Sequence, residues 1–214
     1  MSVNASAAIA FAAEQELTLL DLEQGHLYLR QTHNGIVGAM KGLSEPQWKF
    51  KPSPDQWSIA EIVEHVIFVQ ERVLGPMRQQ LANAPAAPAG YDYKYVDDAV
   101  INRFPNRLAK YSSPHQPSGD LVLSEALDRV VKNYTHVTEY LESTPDLRRH
   151  AIEAAPLKAI SNGAYELMDG YQWILAVAAH TERHTKQILE VKGNPDFPRT
   201  EEFSQSYEEW PRRQ

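Results

Sequence analysis

Cysteine is absent from the 214 residues, which excludes disulfides, thiolate zinc ribbons, iron–sulfur clusters and any cysteine nucleophile. Positive charge is scarce as well. Lys and Arg number 21 against 28 Asp and Glu, a formal net charge of -7. Basic residues gather no further than pairs such as Arg148-Arg149 and Arg212-Arg213, so no stripe is available to neutralise phosphates. Nucleic acid is therefore not expected as a partner. Long hydrophobic runs are missing too, since no stretch reaches the roughly twenty apolar residues of a membrane span. The first basic residue is Arg30, so the positive flank of a secretory signal is lacking. These absences predict a soluble cytoplasmic protein without a membrane partner.

What is present suits a globular chain: 43% hydrophobic and 23% charged residues, close to ordinary domain averages. The expectation is one domain over 1–214, with a core from about 9 to 193 and a C-terminal extension over 194–214. Phe197, Phe203, Tyr207 and Trp210 suggest that this extension packs onto the body or onto a partner subunit.

The apolar periodicity is helical in four segments. In the first, Leu19, Leu22, His26, Leu29, His33, Ile36, Met40 and Leu43 step by threes and fours and keep one face inward. Gly25, Gly35 and Gly38 weaken its propensity, so packing must hold it. The second opens at Ser58, with Glu61 completing a capping box, and carries Ile59, Ile62, Val66, Val69 and Val73 inward. Pro76 predicts a kink, and the stretch from Asn83 to Gly90 a stop. Short helical pieces are expected at 96–101 and 107–111, punctuated by Pro105, Pro114 and Pro117. The third long helix runs through Leu123, Leu127, Val130, Tyr134, Val137 and Leu141 to Ser143. After a turn at Asn162-Gly163, the fourth is expected from about Ala164 to Lys192, closed by Gly193 and Pro195. No strand-like alternation of useful length is visible. The pattern predicts an all-α, four-helix bundle with a long crossover between its second and third helices. Trp48 and Trp57 would seal one end.

Histidine must then carry any metal or acid–base chemistry. On the fourth helix Trp173, Val177, His180, His184, Ile188 and Val191 fall in one sector, so two imidazoles one turn apart point inward. Their rise of about 6 Å suits chelation of one ion. The spacing alone is weak, but two unpaired imidazoles in a core are costly. His65, at the edge of the second helix's apolar face, is a natural third ligand or else a core-margin residue. Glu61 could orient it, or serve only the capping box. His26 and His33 could reach the same cavity as a fourth ligand, proton shuttle or substrate contact, or hydrogen-bond within the core. Asp169 shares the sector of His180 and reads either as an acid–base or outer-sphere group or as a cap on early helical turns. Arg183 reads as a site for an anionic substrate group or as an ion pair with Glu190. His115, His136 and His150 read as surface residues. No paired Glu-x-x-His motifs, H-E-x-x-H, P-loop, dinucleotide fingerprint or G-x-S-x-G elbow is present, which leaves a mononuclear three-histidine site.

The stretch Trp57-Ser58-Ile59-Ala60-Glu61-Ile62-Val63-Glu64-His65-Val66 resembles the second-helix signature of the DinB/YfiT-like superfamily of bacterial four-helix bundles. Ala179-His180-Thr181-Glu182-Arg183-His184-Thr185-Lys186-Gln187-Ile188 resembles its last-helix motif. Asp169-Gly170-Tyr171-Gln172-Trp173 and Asn102-Arg103, with Lys110 and Pro114, are similar to a longer subgroup without a settled activity. The resemblance implies one divalent metal ion held by His65, His180 and His184, and a homodimer. It further implies a small-molecule substrate, with relatives that are low-molecular-weight-thiol-dependent S-transferases or isomerases and others called metal-dependent hydrolases. A stress-associated metal- or small-molecule-binding protein without turnover is the alternative. Zinc, nickel and iron all suit imidazole ligands, so the metal is not readable. With no cysteine in the chain, any thiol must be a co-substrate.

Overall fold

Thr18 starts the first helix: its hydroxyl accepts the Asp21 N–H at 3.1 Å while the Asp21 carboxylate accepts the Thr18 N–H at 2.9 Å. That capping box satisfies donors a helix N-terminus otherwise leaves open. The computed structural model describes residues 16–108 and 115–199. Helix α1 spans Leu19–Met40. Its inner face is rotated from the expected stripe. Gly25, Leu29, Thr32, Ile36, Ala39 and Met40 are buried, whereas Leu19 is 81% exposed and His26 and His33 sit at the margin. The cause is close packing through small residues. A Cβ on Gly25 would lie 3.0 Å from Leu141 and 3.2 Å from Tyr171, so glycine lets the helices approach.

The short α2, Glu45–Lys49, buries Trp48 completely, and its indole N–H donates to the Leu121 carbonyl at 2.8 Å. Trp48 thus seals one end as expected, with the half-buried Trp57 beside it. Helix α3, Ile59–Arg72, starts at Ser58 with the predicted capping box. Pro76, which has no N–H to donate, lies inside a π-helical turn over Val73–Met77, and α4 resumes at Arg78–Ala82. The predicted kink is therefore a widened turn.

The crossover carries α5, Tyr93–Arg103, longer than the expected piece at 96–101. Arg107 and Leu108 form no helix, and the remainder of the piece expected at 107–111 lies outside the described residues, as do Lys110 and Pro114. Helix α6 covers Leu123–Ser143 as predicted. Beyond it the expectation fails. Strand β1, Ala151–Glu153, pairs antiparallel with β2, Leu167–Asp169, around the short helix α7, Ala155–Ile160. Asn162 and Gly163, with φ of 53 and 80, make the turn after α7. Helix α8 therefore begins at Gly170 rather than Ala164, and runs to Lys192. Gly193 ends it with φ at -80, without a left-handed cap.

The helices α1, α3, α6 and α8 form the bundle. Helix α8 packs on α1, α3 and α5, while α6 covers α1 and α3. The fold is thus all-α apart, among the described residues, from the two-stranded ribbon. Phe197 meets Phe50 edge-on at 5.5 Å, so the start of the extension does pack on the body. Phe203, Tyr207, Trp210 and the expected core residues before Glu16 lie outside the described residues.

A buried ionic clasp fixes where α8 begins. Arg148 donates to Asp97 at 2.7 Å and 3.3 Å, to Asp21 at 2.7 Å and to Asp169 at 3.2 Å. Asp169 also accepts the Gln172 N–H at 2.7 Å and is the N-cap of α8. The clasp ties α1, α5 and the loop before β1 to the root of the helix that carries His180 and His184.

Candidate metal centre

Three imidazoles converge where α3 and α8 cross. His65 lies in the second turn of α3; His180 and His184 lie one turn apart on α8. One ring nitrogen of each falls within 4.8 Å of the other two. His65 Nε2 stands 3.1 Å from His180 Nε2, and the ring centroids are 4.4 to 5.0 Å apart. His65 and His184 are buried, and His180 is partly exposed.

The electrostatics favour neutral rings. Burial pushes His65 down to about 4, with His115 adding to the shift. Burial, then the nearby His65, pushes His184 down to about 3. His180 lies well below the ordinary range, through burial and then through His184 and His65. At neutral pH all three rings are neutral, so each keeps one N–H and offers one lone pair.

These residues fit a metal ion. Two nitrogens each about 2.0–2.1 Å from one zinc stand about 3.3 Å apart at a tetrahedral angle, close to the spacing here. Two lone pairs at 3.1 Å repel unless a proton or a cation lies between them. His180 Nδ1 is buried without a partner among the described residues, a cost that goes with a site shaped for something besides packing. His184 Nδ1 lies 2.8 Å from Gln187 Oε1, so a second side chain meets the ring at that nitrogen.

Residues 28–188 match the DinB superfamily. The chain belongs to the DinB superfamily. It is also similar to the uncharacterized protein YuaE of Bacillus subtilis (strain 168), 22% identical over 156 residues that cover 72% of this chain and 88% of that protein. No solved structure matches the chain.

Within this DinB-superfamily fold the other expected residues have different work. Glu61 serves the capping box and not the tautomer of His65: its carboxylate accepts the Ser58 N–H at 2.6 Å and the Lys51 ammonium at 2.9 Å, which hold it below the usual range against burial. Asp169 belongs to the Arg148 clasp at the root of α8, because it caps the helix instead of lying within it. His26 faces Glu142 at 3.4 Å and His33 stacks on Tyr134 at 4.2 Å, both toward α6 and neither within the three-nitrogen group. Arg183 is buried and donates to the Asn106 carbonyl, while Glu190 is held by Arg107 at 2.9 Å.

Three features were not anticipated. His115 is no surface residue: it stacks on Phe68 at 3.8 Å and lies 6.3 Å from the His65 ring. The His150 Nδ1–H donates to the Ala84 carbonyl at 2.7 Å and the residue is half-buried, whereas His136 is exposed as expected. Gln187 is the partner of His184; its place at i+3 from a candidate ligand was the available signal. Among the described residues, no helix is long and apolar enough to cross a membrane.

Proposed function

We propose that this protein is a metal-dependent enzyme with a mononuclear divalent site held by His65, His180 and His184. The reaction is low-molecular-weight-thiol-dependent S-transfer or hydrolysis on a small-molecule substrate. The convergence of three neutral imidazoles from two helices, with no carboxylate among them, carries this reading. Three protein ligands leave a coordination position open, as catalytic sites do and structural ones do not. A bound zinc, nickel or iron ion would there lower the pKa of water to about 7 or hold a thiol as its reactive thiolate.

The chain's own side chains hold and orient. His65 and His184 are buried and His180 is partly exposed, so the group lies at the margin of the core. Trp57 packs beside the site, its ring 5.1 Å from that of His65. Since no cysteine is present, the attacking sulfur comes from a co-substrate. The thiol releases its proton to solvent, and its sulfur forms a C–S bond to the electrophilic carbon. The bond from that carbon to the leaving group breaks, with the electron pair departing on the leaving group. We take the chain as one domain over 1–214, a homodimer and cytoplasmic, and light scattering tests the second of these.

One observation favours a second reading, metal or small-molecule binding without turnover. Glu61 and Asp169, the carboxylates expected beside the triad, are both engaged elsewhere. Assays of the metal-loaded protein separate the readings. Consumption of a chlorinated aromatic electrophile that requires added thiol supports S-transfer. Thiol-independent cleavage of activated esters or amides supports hydrolysis. Loss of either in His180→Ala ties it to the triad, and the absence of both favours binding alone.

A further inference from the structure

One route from the crossover to the three-histidine group runs through a glutamine. Gln187 Oε1 lies 2.8 Å from His184 Nδ1 and 3.3 Å from Arg107 Nη1. Arg107 comes from the segment after α5, and its Nε and Nη2 are held by the two oxygens of Glu190 at 3.2 Å and 2.9 Å. His184, Gln187 and Glu190 follow at i, i+3 and i+6, along one side of α8.

A primary amide can present either its oxygen or its NH2 to a neighbouring ring, and the two orientations select opposite tautomers of that ring. A guanidinium carries only donors. The Gln187 atom facing Arg107 must therefore be the oxygen, and the same oxygen faces His184. An acceptor there requires a proton on Nδ1, which leaves the lone pair on Nε2. With the amide reversed, its NH2 would donate to Nδ1, Nε2 would carry the proton, and the ring could not ligate through it. We propose that Arg107, acting through Gln187, sets the tautomer of His184 and is a positioning residue of the site. The consequence for metal binding rests on the reading above; the tautomer does not.

The test uses the full-length, metal-free, 15N-labelled protein. Long-range proton–nitrogen spectra of the imidazoles report which ring nitrogen is protonated, and zinc titration reports affinity. In the native protein His184 carries its proton on Nδ1. In Arg107→Met that preference is lost and zinc binds roughly 10- to 100-fold more weakly. Gln187→Met behaves likewise, whereas Gln187→Glu, whose carboxylate accepts from both neighbours, retains the Nδ1 proton and zinc affinity. That rescue separates positioning from folding, and circular dichroism checks each variant. If Arg107→Met does not fold, the two Gln187 variants decide. A native His184 protonated on Nε2, or an Arg107→Met protein with unchanged tautomer and affinity, overturns the proposal. A native protein that takes up no zinc overturns the metal reading instead, and the tautomer spectra still decide this one.

Discussion

At the scale of single residues, Arg148 bears more than any other side chain outside the triad. It is 5% exposed, it meets three carboxylates, and it stacks over Tyr171 at 4.5 Å and Tyr93 at 5.4 Å. Removing the cation strands buried charge, so Arg148→Met is expected to cost about 3–5 kcal/mol. Urea denaturation measures this, and a loss below about 1 kcal/mol would contradict the assignment. The triad makes a second prediction, from its depressed values. An unfolded histidine binds its proton near pH 6.5, whereas His65 folded does so near 4 and His184 near 3. Between those limits the unfolded chain holds more protons, so metal-free stability is full above about pH 6.5 and declines as pH falls toward 3. Asp169 acts with opposite sign, because burial pushes its carboxyl upward and the folded state keeps its proton longer. Comparing native protein with a variant carrying leucine at all three triad positions isolates the histidine contribution; equal slopes below pH 6.5 would refute it. The triad was legible in sequence because ligands at i and i+4 need one helix face. Glu61 and Asp169 were ambiguous, since helix caps and metal sites both call for a carboxylate. His115 lay in a proline-punctuated stretch where no periodicity says which way a ring points.

At the scale of elements, the long helices could be read because three to six turns of apolar spacing outweigh local noise. Strands β1 and β2 could not. Three residues each give too little alternation to distinguish from chance, and the ribbon moves the start of α8 from Ala164 to Gly170. The buried face of α1 departs from its stripe of large apolar residues for a related reason: Gly25, Thr32 and Ala39 line the contact, and small or polar residues carry no apolar signal. The root of α8 offers a direct check. A Cβ on Gly170 would sit 2.7 Å from Leu147 Cδ2 and 2.9 Å from the Leu147 carbonyl oxygen, and backbone cannot yield cheaply. The Gly170 N–H also donates to that carbonyl at 2.7 Å. Gly170→Ala should therefore destabilise by about 1–3 kcal/mol in thermal or urea melts, in spite of alanine's higher helix propensity. A neutral or stabilising change would mean that this contact is not tight.

At the scale of the molecule, α8 organises everything else. Its start is clasped by Arg148 and its partners, and its middle packs on α1 and α3. Eleven residues beyond Asp169 of the clasp, about 16 Å along the axis, it presents His180, and one turn later His184, to His65 on α3. Membership of the DinB superfamily and this convergence make the three-histidine metal site the central claim. The most direct test is elemental analysis of untagged protein beside a His65→Ala/His180→Ala double variant. The account predicts about one zinc, nickel or iron ion per native chain and almost none in the variant. A native protein that is metal-free and takes up none of the three ions on titration would contradict it.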